Sequence, residues 1–160
     1  MTVTRKNGTF IPSVMIAPCG INCGRCSAHL RAKNKCAGCN VDQAWKPKHC
    51  LTCKIKTCDQ KPEFISFCFE CKKFPCTRLR RLDNRYLTKY GLGLLDNLEK
   101  INKLGLKHFM KIENTRWVCQ ACGGPICIHD KKCYSCGKQY PYLNQGTNII
   151  QAESYKFIKP

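Results

Sequence analysis

Cys50-Leu51-Thr52-Cys53-Lys54-Ile55-Lys56-Thr57-Cys58 is answered by Cys68-Phe69-Glu70-Cys71-Lys72-Lys73-Phe74-Pro75-Cys76, each cysteine 18 residues after its counterpart. Both runs read C-x2-C-x4-C, and a lysine follows the second cysteine each time. The duplication offers sulfur at fixed offsets around a turn, the arrangement by which a chain holds a metal ion. The stretch therefore points to a fold stapled by metal.

Outward from it, the C-x2-C knuckle recurs. Pairs begin at Cys23, Cys36, Cys50, Cys68, Cys119 and Cys133, six in all. One knuckle supplies two sulfurs about a tetrahedral edge apart, so two knuckles close a four-sulfur site. Pairing in chain order joins Cys23/Cys26 to Cys36/Cys39, Cys50/Cys53 to Cys68/Cys71, and Cys119/Cys122 to Cys133/Cys136. The last set has zinc-ribbon spacing, while the first two could equally interleave. Cys19, Cys58, Cys76 and Cys127 lie outside the knuckles. With His49 or His29, the first three could complete a Cys3His site, or one or two of them are buried free thiols. His129 lies beside Cys127 in the ribbon loop, either orienting a ligand or standing by. The expected complement is three or four Zn2+ ions.

Sixteen of the 160 residues are cysteine, far above ordinary usage. Such density means disulfides in an oxidising compartment or metal sites in a reducing one. Residues 1–10 are polar and basic, and Pro12 and Ser13 break the short apolar run at 10–17, which excludes a signal h-region there. No stretch approaches the roughly 20 apolar residues of a membrane span. The expectation is a cytoplasmic protein with reduced thiols and no membrane partner. Its formal charge is +18, which counts cysteine as neutral. A zinc ion with four thiolates carries about −2, so four sites leave about +10 and three about +12. Such a surface suits nucleic acid or an acidic protein partner.

The expected fold class is a small metal-stabilised α+β. Its units are a flexible arm (1–14), a cysteine-rich zinc-knuckle region (15–90), a helical connector (91–116), a zinc ribbon (117–140) and a tail (141–160). Helical signals cover 27–33 and 77–82. A turn at Asp83-Asn84 and one more helical turn at 85–90 follow, ended by Gly91. Leu94, Leu95, Leu98, Ile101 and Leu104 recur at helical spacing and predict a helix over 94–104. Gly105 ends it, and 106–114 reads as another. Apolar residues between Cys19 and Cys76 show no period, so no continuous core is expected there. Ile149-Ile150 and 155–158 could form an edge strand or stay extended.

No glycine-rich phosphate loop, G-x-S-x-G or H-E-x-x-H occurs, and four-sulfur sites lack the open position that catalytic zinc keeps. This points away from an enzyme. Two function classes remain. One is a binding module, with Arg78, Arg80, Arg81 and Arg85 for phosphates and Phe69, Phe74 and Tyr86 for stacking. The other is metal or redox handling. Cys19-x3-Cys23-x2-Cys26 has the spacing of the radical S-adenosylmethionine cluster motif, yet Arg25 replaces the usual aromatic and the chain is too short for the accompanying barrel. The ferredoxin run C-x2-C-x2-C-x3-C-P is absent. Soft ligands still admit a cluster, so iron–sulfur stands as the alternative to zinc.

Cys19-Gly20-x2-Cys23-x2-Cys26, Cys36-x-Gly38-Cys39, Cys53-x4-Cys58 and Cys68-x2-Cys71-x2-Phe74-Pro75-Cys76 together resemble the prokaryotic cysteine-rich family catalogued as domain of unknown function 3795. The resemblance covers about residues 15–90. It implies zinc binding by these cysteines and implies no established biochemical activity.

Overall fold

The computed structural model describes residues 10–60 and 66–141. The expectations for residues 1–9, for Ile149-Ile150 and for 155–158 lie outside them. The cysteine-rich half is built of turns, and its helices α1 (Ser27–Leu30) and α2 (Lys48–Leu51) are single turns. Three longer helices follow: α3 (Thr77–Tyr90), α4 (Leu94–Leu104) and α5 (Leu106–Arg116). Strands β1 (Ile126–Cys127) and β2 (Lys132–Cys133) pair antiparallel, Ile126 opposite Cys133. The result is small and helix-rich.

Two helices differ from expectation for local reasons. α1 stops at Leu30 rather than Lys33 because the chain turns there: Asn34 has a φ of 51°. The Arg31 guanidinium donates to Asn34 O at 2.8 Å and Trp45 O at 2.6 Å, fixing that turn. α3 runs unbroken through Asp83-Asn84, where a turn is expected. Asp83 leaves the helix uncut because its carboxylate serves the next one. Its Oδ1 accepts from Leu94 N at 2.6 Å and Leu95 N at 3.1 Å, satisfying the orphan amides and the positive end of α4. The α3–α4 corner closes at Gly91, in the left-handed region at φ 67°, where glycine carries no Cβ penalty. α4 and Gly105 fall as the periodicity requires.

Residues 19–76 build no core among themselves, and Trp45 and Leu51 stay exposed, but Ile55 and Phe67 from this stretch join a core shared with residues before and after it. Ile11, Met15, Ile16, Ala17, Ile55 and Phe67 bury themselves against Leu79, Leu98, Ile101, Phe109 and Met110. The partners of these residues come from helices far along the chain, so no local period marks them. Ile11, expected within a loose arm, is buried, and its amide donates to Asn114 Oδ1 at 2.9 Å. Gly20, at φ 87°, lets the first cysteine loop press onto α4. A Cβ there would stand 3.0 Å from Leu94 O and 3.1 Å from Leu98 Cγ, and Asn97 Nδ2 donates to Gly20 O at 2.9 Å. α4 and α5 thus pack as core against the cysteine-rich region, beyond the connector role expected of them.

A second cluster joins Leu92 and Leu94 to Trp117, Cys119, Ile126, Ile128 and Cys133. The ribbon, expected as a separate unit, is therefore docked. Ile128 N donates to Arg25 O at 2.9 Å. Buried Glu113 ties three parts together: its Oε2 accepts from Asn22 Nδ2 at 2.8 Å and from Trp117 Nε1 at 2.7 Å. Among the described residues, no helix is long and apolar enough to cross a membrane.

Candidate metal centre

The ribbon cysteines converge. Gly123 N donates to Cys119 O at 2.8 Å and Gly137 N to Cys133 O at 3.0 Å, so each knuckle closes the same tight turn. Both glycines sit at positive φ, 73° and 75°, which a side chain would oppose. The turns aim amides at sulfur: Gly124 N reaches Cys122 Sγ and Ser135 N reaches Cys133 Sγ, both at 3.4 Å. Across the hairpin, Cys119 Sγ lies 3.6 Å from Cys136 Sγ, and Cys122 Sγ lies 3.6 Å from Cys133 Sγ. A zinc ion bound at about 2.3 Å sets tetrahedral sulfurs about 3.8 Å apart, so the four fit one ion. Among the described residues, this is the one set of three or more Cys, His, Asp or Glu whose ligand atoms all lie within 4.8 Å of one another. The four cysteines could hold a metal ion, and four sulfurs leave no open position for substrate.

Tyr140 adds a hydroxyl that the motif does not announce. Its Oη donates to Cys119 Sγ at 3.1 Å. Burial raises the Cys119 thiol, but this bond and the Cys122 and Ala121 amides outweigh it and hold the thiol down at about 6. A depressed thiol keeps its thiolate, and hence its metal, until the pH falls through the depressed value. Tyr140→Phe is expected to weaken metal binding at these cysteines by about 10–100-fold, with the larger loss at lower pH. Competition with a chromophoric chelator measures this, and equal affinity would deny Tyr140 the role.

Cys127 stands outside the four-sulfur set. It is buried, accepts from Asp130 N at 3.4 Å, and burial pushes its thiol up. His129 turns away from the ribbon sulfurs. Its Nδ1 accepts from Ser27 N at 3.3 Å, and its Nε2 meets Tyr86 Oη at 3.1 Å. Tyr86 and Tyr90 present ring edges to it. His129 thus clasps the ribbon to α1 and α3. His49 is exposed on α2, and His29 Nδ1 faces Cys36 O at 2.7 Å.

The remaining cysteines influence one another electrostatically. Burial, then the sulfurs of Cys39, Cys68 and Cys53, push the Cys19 thiol up. The Cys23 thiol is hydrogen-bonded to Cys39, which holds Cys39 down at about 7. Burial, then Cys39, Cys26, Cys36 and Cys53, raise Cys50 to about 11. Cys58, Cys68, Cys71 and Cys76 wall a separate cavity with Ile55 and Leu79.

Arg78, Arg80, Arg81 and Arg85 are all exposed on α3. Helical spacing puts Arg78, Arg81 and Arg85 in one row, which Lys89 extends. Arg80 falls outside the row and donates to Pro75 O at 3.1 Å, and Arg78 donates to Lys54 O at 2.7 Å. The aromatics expected to stack with a ligand pack within the protein instead. Phe69 stacks on Phe67, Phe74 lines the cavity, and Tyr86 holds His129.

The arrangement of cysteine knuckles before α3 is the feature to compare with known proteins. Residues 15–81 match the family model of DUF3795, described as a protein of unknown function. The resemblance read from the cysteine motifs holds over that stretch. The DUF3795 match ends within α3, so α4, α5 and the four-sulfur ribbon lie beyond it. No curated protein and no solved structure matches the chain.

Proposed function

We propose that the chain is a zinc-stapled, non-catalytic binding module that presents the basic face of α3 to the backbone of a nucleic acid. The exposed row of Arg78, Arg81, Arg85 and Lys89 carries this reading. The row sits on a helix whose opposite face is held by Leu79, Asp83 and Tyr86, so its charges stand in fixed register. Phosphates are met by such rows, which position a nucleic acid without reading its sequence. The four-cysteine ribbon supports the same reading, since a closed metal site serves stability and leaves the chemistry of recognition to the surface.

The test is fluorescence anisotropy with labelled single-stranded and duplex oligonucleotides across a salt series. Four phosphate contacts on a duplex predict an affinity loss of about 100-fold between roughly 50 and 200 mM salt. Arg81→Ala, Arg85→Ala and Lys89→Ala combined should flatten that slope, while Arg78 is spared because it holds Lys54 O. Equal binding by the triple variant, or binding indifferent to salt, removes the proposal.

A further inference from the structure

We propose that the cavity walled by Cys58, Cys68, Cys71 and Cys76 is a second metal site, different in kind from the ribbon, and that it takes an iron–sulfur cluster. The ribbon supplies an internal ruler. Where one ion suffices, this chain draws sulfurs to 3.6 Å and keeps all four within 4.8 Å. No three of the cavity cysteines meet that limit, yet all four face one void of about 40 Å³. A water needs only about 10–15 Å³ of such space and two to four polar partners. The wall here is almost wholly apolar, with Ile55, Phe74 and Leu79 between the sulfurs. A hollow of largely apolar wall, open to solvent on one side and lined by four soft ligands, suits a polynuclear core held at its corners by thiolates.

The charge around the cavity agrees. A cluster held by four thiolates is anionic, and cations and hydrogen bonds to sulfur stabilise it. Arg78 Nη1 approaches Cys58 Sγ at 3.8 Å, and Lys54 and Lys73 line the same cavity. Cys76 is the N-cap of α3, so the positive end of a 14-residue helix opens on the site. The knuckle turns fix the spacing: Cys71 N donates to Cys68 O at 3.1 Å, and Phe74 N to Cys71 O at 2.9 Å. Cys68 N donates to Pro18 O at 2.9 Å, anchoring the wall to the first cysteine loop.

The full chain, purified anaerobically and reconstituted with ferrous iron, sulfide and a thiol reductant, is compared with a Cys58→Ala, Cys76→Ala variant. Neither residue belongs to the buried core, so the bare fold tolerates both changes, and circular dichroism verifies it. The wild type should show broad visible charge-transfer absorption with iron and acid-labile sulfide in equal amounts. The variant should lose one cluster's worth of both and keep the zinc of the ribbon. If the double variant is insoluble, Cys76→Ser alone gives the same readout. A variant that retains the wild-type iron and sulfide overturns the proposal. So does a colourless wild type in which the variant loses a zinc equivalent. Ribbon failure is read separately, by zinc content in a Cys122→Ser, Cys136→Ser variant whose visible absorption should be unchanged.

Discussion

Cys133→Ala is expected to abolish metal binding at the four-cysteine cluster and unfold residues 117–140. Cys133 is buried in β2 and stands 3.6 Å from Cys122 across the ribbon. The ribbon's strands are two residues each, too short to hold by themselves. Structural zinc is worth on the order of 10–16 kcal/mol at neutral pH, as much as a whole domain's net stability of about 5–15 kcal/mol. Loss of the ion therefore takes the hairpin with it. The damage should spread inward, because Ile126 and Ile128 pack on Leu92, Leu94 and Trp117. Hydrogen exchange by mass spectrometry, with zinc counted on the same sample, reads both effects. Retained zinc together with undiminished protection over 117–140 would mean that Cys133 is not a ligand.

Glu113→Ala is expected to cost about 3–5 kcal/mol, the penalty for breaking a buried charged network from one side. The carboxylate is 1% exposed and accepts from Asn22 and Trp117, with Arg116 Nη1 3.6 Å away. Its removal leaves two buried donors unmet, each worth about 1–3 kcal/mol. Glu113→Gln keeps an acceptor oxygen and should lose less. Urea unfolding of the metal-loaded chain measures both, and a loss under about 1 kcal/mol for the alanine variant would show that water replaces the carboxylate.

The legible parts of this protein are those whose information is local. Leu94, Leu98 and Ile101 repeat at helical spacing, so α4 could be read directly, and two knuckles ten residues apart announced the four-cysteine cluster. What escaped depends on distant partners. Asp83 looked like a turn residue because its partners, Leu94 N and Leu95 N, belong to another helix. Ile11, Met15 and Ile16 have no period because they pack on Leu98, Ile101 and Phe109. Tyr140 gave no signal, since a hydroxyl aimed at a thiolate has no sequence signature. The cysteines before α3 escaped for a further reason. Equal knuckles can be joined in several ways, and only the packed chain brings Cys58 to the wall shared by Cys68, Cys71 and Cys76.

The bonds that close the cysteine-rich half span long stretches of chain: Asn22 to Glu113 across 91 residues, Ser27 to His129 across 102, and Ile11 to Asn114 across 103. At synthesis rates of about 5–20 residues per second, roughly 5–20 s separate the appearance of the two partners on a ribosome. For that interval Cys19 and Cys23, buried in the finished protein, stand open to oxidants and to whatever ions the surroundings offer. Among the described helices α4 and α5 emerge last, and their Leu98, Ile101, Phe109 and Met110 share the buried cluster with these cysteines. A nascent chain stalled before residue 94 therefore presents its thiols to chemistry that the completed fold denies.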